Sequence, residues 1–267
     1  MPDSRSHRGP HPRDQELFAP CHLAALRAAT EDLSWLLSRG YTPTSALKLS
    51  GDRHGLTVRQ RMAVSRAACS EQARLRRSAS RIEVSCLGRP PPAADVHELW
   101  VDGFNVLLTL EVALGGGPVF TTRDGCLRDI ASVHGTYRKV HETEPAVGLV
   151  TDELLHWGMK RVTVLLDAPV SNSGRLAAVL RAHWEARELS DARWRVLLVP
   201  DPDAELVKDG RIVASADGGV LDKAAGWVNL ARRIVDARVP GAFRVNLGAD
   251  TSLPELADLG RELIEPS

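Results

Sequence analysis

From about residue 97 onward, the chain alternates short, mainly apolar runs with stretches of helical period, and this alternation restricts the fold more than any other feature. The runs at 97–101, 161–166, 194–199, 211–214 and 243–247 are rich in Val and Leu and show little polar alternation. Strands of that kind are buried on both faces. Between them, helical spacing predicts helices over about 124–141, 147–158, 173–188 and 222–237. Strands alternating with helices close into a parallel sheet covered by helices. The expected class is therefore α/β, with its domain over 97–250 and a C-terminal tail or helix over 251–267.

The preceding residues have a different texture. Residues 1–16 are polar, with Pro, His and Arg, and predict a disordered N-terminus. Residues 17–88 predict a small all-helical basic module. Leu23, Leu26, Leu33, Leu36 and Leu37 share a helix that Gly40 ends. A turn over 42–45 leads to a short helical piece through Ala46, Leu47 and Leu49. Thr57 then caps a long Arg-rich helix over 58–77. Three prolines, Pro90 to Pro92, mark a linker over 89–96.

Net charge is zero, but residues 1–92 hold 15 Lys and Arg against 8 Asp and Glu, and the remainder carries the opposite excess. A basic unit joined to an acidic one suits a polyanion held beside a carboxylate-rich site. The four cysteines lie far apart without a CxxC, which speaks against a disulfide framework or zinc ribbon and predicts a reducing cytoplasm. No signal peptide or membrane partner is expected, and the oligomeric state is left open.

Four predicted strands run into aspartate: Asp102, Asp167, Asp201 with Asp203, and Asp217, with Asp222 five residues further on. In a parallel sheet the carboxyl ends share one edge, where ligands bind. Carboxylates gathered there repel one another, and a hard cation such as magnesium or manganese offsets that repulsion. Each aspartate taken singly also reads as a helix cap or turn residue, Asp203 before Ala-Glu-Leu especially so.

The motif order VDGFNVL, VTVLLDA, RVLLVPDPDAELV and RIVASADGGVLD resembles PIN-like nucleases of the NYN branch over about residues 97–240. The whole chain also resembles a bacterial and archaeal family, domain of unknown function 434, in which a helical module containing LKLSGDRHGLTVRQRMAVSRA precedes such a domain. The first resemblance implies a PIN-like parallel sheet flanked by helices. It makes Asp102, Asp167, Asp203 and Asp217 candidate ligands of Mg2+ or Mn2+, with Asp222 an alternative. Asp102, Asp167 and Asp217 would carry catalysis, Asn105 would fix the first loop or hold a phosphate, and Ser215 would contact substrate. The Glu that many PIN domains place on an intervening helix has no clear counterpart here; Glu111 and Glu142 are the nearest.

Other features bear on substrate. Arg123, His134 and Arg138, with Arg128 and Tyr137, fall on the predicted helix after Thr122 and would face an RNA backbone, or simply solvent. Arg59, Arg61 and Arg66 on the module's long helix would hold phosphates without base specificity, or again be a solvated face. Gly115 to Gly117 lacks P-loop spacing and reads as a flexible loop or lid over the acidic edge. The expected function is metal-dependent phosphodiester hydrolysis of nucleic acid, RNA foremost. The alternatives are a PIN-like nucleic-acid-binding or scaffold protein without catalysis, and a metal-dependent small-molecule phosphatase.

Overall fold

The computed structural model describes residues 7–83, 97–131, 135–189, 192–208 and 210–248. The linker at 89–96, the segment after 250 and His134 lie outside the described residues. The elements in chain order are α1 (Asp14–Leu17), α2 (Pro20–Ser38), α3 (Pro43–Arg53), α4 (Val58–Ala67), α5 (Glu71–Ser80), β1 (Glu98–Asp102), α6 (Gly103–Leu114), β2 (Pro118–Thr121), β3 (Leu127–Asp129), α7 (Thr143–His156), β4 (Arg161–Asp167), α8 (Ser173–Glu185), β5 (Trp194–Val199), α9 (Pro202–Leu206), β6 (Ile212–Ala214), α10 (Gly218–Leu221), β7 (Gly226–Val228), α11 (Leu230–Arg238) and β8 (Phe243–Asn246). The class is α/β, with a helical segment preceding a five-stranded parallel sheet.

That sheet runs β5-β4-β1-β6-β7. Its register places Asp102 beside Leu165, Asp167 beside Val199, and Val101 beside Ala214. Leu99, Val101, Val162, Val164 and Leu166 point into one core with the apolar sides of α6, α7, α8 and α11. Trp100, Leu165, Val213 and Trp227 point the other way, where the short helices α9 and α10 supply Leu206, Val220 and Leu221. The strand expected over 243–247 is not part of the five-stranded sheet: as β8 it pairs with β2 in a second sheet, β3-β2-β8, that was not foreseen. Its Phe120 and Val245 pack with Leu26, Leu33 and Val64, joining the helical segment to the rest.

Several expectations need correction. The helix placed over 58–77 is two helices. The backbone turns extended at Ala68, and the Ser70 hydroxyl accepts the Ala73 amide at 3.2 Å, capping a new start. No helix occupies 124–141 among the described residues. Asp124-Gly125 turns the β2–β3 hairpin instead, Gly125 taking φ of +79° and Thr121 pairing with Leu127 across a five-residue loop. The stretch 222–237, expected to be one helix, instead holds a turn, β7 and most of α11.

Residues 7–16, expected to be disordered, are docked. Arg8 reaches the fully buried Glu111, Arg59 pairs with buried Asp14, and His7 lies 2.5 Å from Glu142. A buried carboxylate is stable only beside a cation and donors. Glu111 has both, since Tyr137 and Thr143 also donate to it, at 2.5 and 2.6 Å. Gly115 to Gly117 is therefore no lid. A Cβ at Gly115 would meet the Arg8 carbonyl at 2.9 Å, and one at Gly117 would meet the Gly9 backbone at 3.0 Å. The glycines are there to let the N-terminal strap lie against the turn.

Candidate active site at the carboxyl edge of the sheet

Because the five strands are parallel, Asp102 at the end of β1, Asp167 at the end of β4, Asp201 after β5 and Asp217 after β6 all lie along one edge. Three of them also cap helices. The Asp102 carboxylate accepts the Asn105 amide at 3.2 Å, Asp201 that of Ala204 at 3.0 Å, and Asp217 those of Gly219 and Val220 at 2.7 and 3.2 Å. Cap and edge carboxylate are thus one residue in each case. Asp203, read as the cap of its helix, is instead the second residue of α9, with Asp201 as the cap and Pro202 at the first position.

Asp102 is the centre of the group. It is 7% exposed, and its second oxygen accepts the Ser215 hydroxyl at 2.8 Å. Ser215 in turn accepts the Asp217 amide at 3.0 Å, and the Asn105 side-chain oxygen accepts the Ala216 amide at 2.8 Å. Asn105 and Ser215 therefore lock the β1 and β6 ends together. Burial pushes the Asp102 carboxyl up to about 7, against its two hydrogen bonds and helped by the negative charges of Asp203 and Asp217. Asp203 is raised by partial desolvation and by Asp217, Asp201 and Asp167, with Lys223 opposing. Asp167 is raised by desolvation and by Asp201. The carboxylates act on one another, yet among the described residues no three His, Cys, Asp or Glu side chains form a group able to hold a metal ion.

Asp222 does not belong to this group. Arg77 grips both its oxygens at 2.9 Å, Arg76 adds a contact at 3.1 Å, and these cations hold its carboxyl below the usual range against some desolvation. Arg77 also donates to Asp124 at 2.6 Å, and Asp124 takes two further bonds from Arg128, at 3.0 and 2.6 Å. Despite deep burial, Asp124 is held well below the carboxylate range by its two guanidinium partners and the Thr122 hydroxyl. This Arg77–Asp124–Arg128 latch joins α5 to the β2–β3 hairpin. Sequence reasoning missed it because its partners are 47 residues apart.

The predicted substrate contacts divide. Arg59 is committed to Asp14 and the Gly9 carbonyl, and Arg61 to Asp52 at 2.8 Å and the Leu56 carbonyl at 2.9 Å. Arg123 pairs with Glu71 at 3.1 Å. Much of the module's positive excess is thus spent inside the fold. Arg138 is exposed on the loop that Thr136 pairs to Ser171, and not on a helix. Tyr137 is buried against Phe104 and Glu111 and cannot meet a nucleic-acid strand. Arg66 alone of the three module arginines stays exposed, facing Asp129 across a cleft without a close ion pair among the described residues. Glu111 and Glu142, the nearest candidates for the helix-borne Glu that the resemblance implies, are instead paired with Arg8 and His7.

No helix among the described residues is long and apolar enough to cross a membrane. Residues 93–233 match the family described as Domain of unknown function (DUF5616), and residues 25–79 match Protein of unknown function (DUF434). Over 200 residues the chain is 28% identical to Uncharacterized protein MJ0935 of Methanocaldococcus jannaschii, a match spanning 74% of this chain and 89% of that relative. No solved structure matches.

Proposed function

The chain belongs to the DUF5616 family, and for this member we propose metal-dependent hydrolysis of phosphodiester bonds in nucleic acid, RNA foremost, on a PIN-like (NYN-type) domain. The observation that carries the reading is the row of edge aspartates around Asp102, whose charges raise one another's proton affinity. Oxygen-only donors of this sort suit Mg2+ or Mn2+. Mg2+ keeps several waters and binds through one or two carboxylates plus substrate phosphate, so a closed cage of three side chains is not required. Asp102 and Asp217 would hold the ion, with Asp167 and Asp203 beside it. When bound, it would stabilise charge on the phosphate oxygens and activate a water.

The chain's own residues set the stage for that chemistry. Ser215 and Asn105 tie Asp102 to the end of β6, which fixes the Asp102 side chain and the strand end that carries Asp217. Asp102, whose carboxyl burial pushes up to about 7, would give up its proton to bind a cation. The test is incubation of a mixed single-stranded RNA with Mg2+ or Mn2+. Fragments from the intact protein and none from Asp102→Asn or Asp217→Asn are expected; equal fragments from the variants overturn the assignment.

A second reading, a nucleic-acid-binding protein without catalysis, is favoured by one observation: Asp102, Asp201 and Asp217 are already engaged as helix caps, each accepting backbone amides. It predicts RNA retained uncut by intact protein and variants alike.

A further inference from the structure

Between the helical segment and the α/β part lies a cleft of about 390 Å³ with one wall from each. Ser65, Arg66 and Ala68 of the α4 end form the first wall; Asn105, Thr109 and Asp129 are on the second. Asn105 and Asp217 belong both to this cleft and to the acidic edge, so the two are continuous. The volume lies in the range of small-ligand sites and suits about one nucleotide.

Charge decides the occupant. Arg77 and Arg128 also line the cleft but spend their donors on Asp124, Asp222 and the carbonyls of Gly218, Ala216 and Arg66. The opposing carboxylates are also engaged. Asp217 caps α10, and Asp129 accepts the Thr109 hydroxyl at 2.8 Å. Arg66 is the one lining arginine whose guanidinium makes no hydrogen bond or close ion pair among the described residues; its charge acts at longer range on Asp129 across the cleft, while its backbone is pinned by Arg128 at 3.1 Å. An exposed guanidinium on an anchored backbone beside an amide side chain is a receptor for a phosphate oxygen.

We propose that this cleft is the track of a single nucleic-acid strand, with Arg66 contacting the phosphate that lies next to the acidic edge. The proposal rests on the hydrolase reading for what happens at that edge, but the track itself needs only binding. It gives the helical segment a role in substrate placement: without α4 the cleft has one wall.

The test uses the full chain carrying Asp102→Asn, a fluorescent 12-nucleotide single-stranded RNA, and anisotropy titrations at several salt concentrations. Loss of one phosphate contact on a single strand lowers affinity about five-fold at 0.1 M salt and reduces the log–log salt slope by about 0.7. Arg66→Ala should show both effects. Ser65→Glu, on the same exposed wall, should weaken binding as well, and serves if Arg66→Ala fails to fold. Lys48→Glu, exposed on α3 outside the cleft, should change affinity less than about two-fold, being distant from the track. Parent-like binding by both cleft variants, equal weakening by Lys48→Glu, or no binding by the parent overturns the track. RNA bound through Arg66 but left uncut by the unsubstituted protein overturns hydrolysis alone.

Discussion

Replacing Asp102 by Asn should make the protein more stable at neutral and alkaline pH, the reverse of what loss of a helix cap does. Asp102 is 7% exposed and its carboxyl is pushed up from 3.8 to about 7. Because the folded state holds this proton more tightly than the unfolded one, the contribution is most favourable below about pH 4. It declines as pH rises towards 7 and is fully lost above that. At 1.36 kcal/mol per pH unit, the ionised side chain costs the fold at most about 4 kcal/mol, and relaxation of the site reduces this to about 2 kcal/mol. Asparagine keeps the shape and can still accept the Asn105 amide, without the charge. In thermal melts free of divalent metal, Asp102→Asn should therefore melt about 4–8 °C above the unsubstituted protein at pH 8 and close to it at pH 4. Added Mg2+ should raise the melting temperature of the unsubstituted protein at pH 8, because a ligand of the folded state stabilises it by mass action, and should do so much less for the variant. A variant melting lower at pH 8, with no metal response in either protein, would refute both the repulsion and the metal site.

Asp124→Asn should act in the opposite direction, lowering stability at pH 7 by about 3–5 kcal/mol in urea melts, because it leaves Arg77 and Arg128 buried without their anion. Since Asp124 is held below the usual carboxylate range, its contribution is complete above about pH 4 and fades in acid, so the gap between the two proteins should narrow at pH 3. Removing residues 1–9 should cost about 3 kcal/mol by stripping Arg8 from buried Glu111, and Glu111→Gln should restore part of that loss in the shortened chain. In RNA cleavage assays Asp222→Asn should retain activity well below its melting temperature, since Arg77 and Arg76 claim that side chain, whereas Asp217→Asn should not.

The parallel sheet was legible because its strands are apolar on both sides. Of its strands, β1, β4, β5 and β6 begin and end within about a residue of where the apolar runs place them, as does β8 of the second sheet, whereas β7 lies in a stretch read as helix. Helix α6 was not legible. Ten of its twelve residues, from Gly103 to Ala113, are buried, so it has no polar face to create a helical period. The β2–β3 hairpin was hidden for a different reason. Thr122-Arg123-Asp124 reads locally as a helix start, and only the ring of Arg77, Arg128 and the Cys126 amide around Asp124 makes it a turn. At the edge, residue type and strand position were enough to place Asp102, Asp167, Asp201 and Asp217 along one side of the sheet, but not to separate Asp222, which Arg77 and Arg76 hold elsewhere. Which carboxylate would be buried depended on Ser215, 113 residues away. The charge asymmetry was read correctly as composition, but most of the arginines behind it answer acids of the same fold.

The latch around Asp124 bears on how the protein can be divided. Besides its ion pairs, α5 receives the Trp227 indole N–H on the Arg77 carbonyl at 2.7 Å, while the Ile82 amide donates to the Trp227 carbonyl at 2.8 Å. The Arg123 amide donates to the Ala67 carbonyl at 3.0 Å. None of these contacts uses the peptide chain between Glu83 and His97. A single nick there would leave both pieces in one particle through gel filtration, and the two stretches made as separate polypeptides should reconstitute it. The chain can thus be operated as a split protein, with assembly of the halves as the switch that completes the cleft.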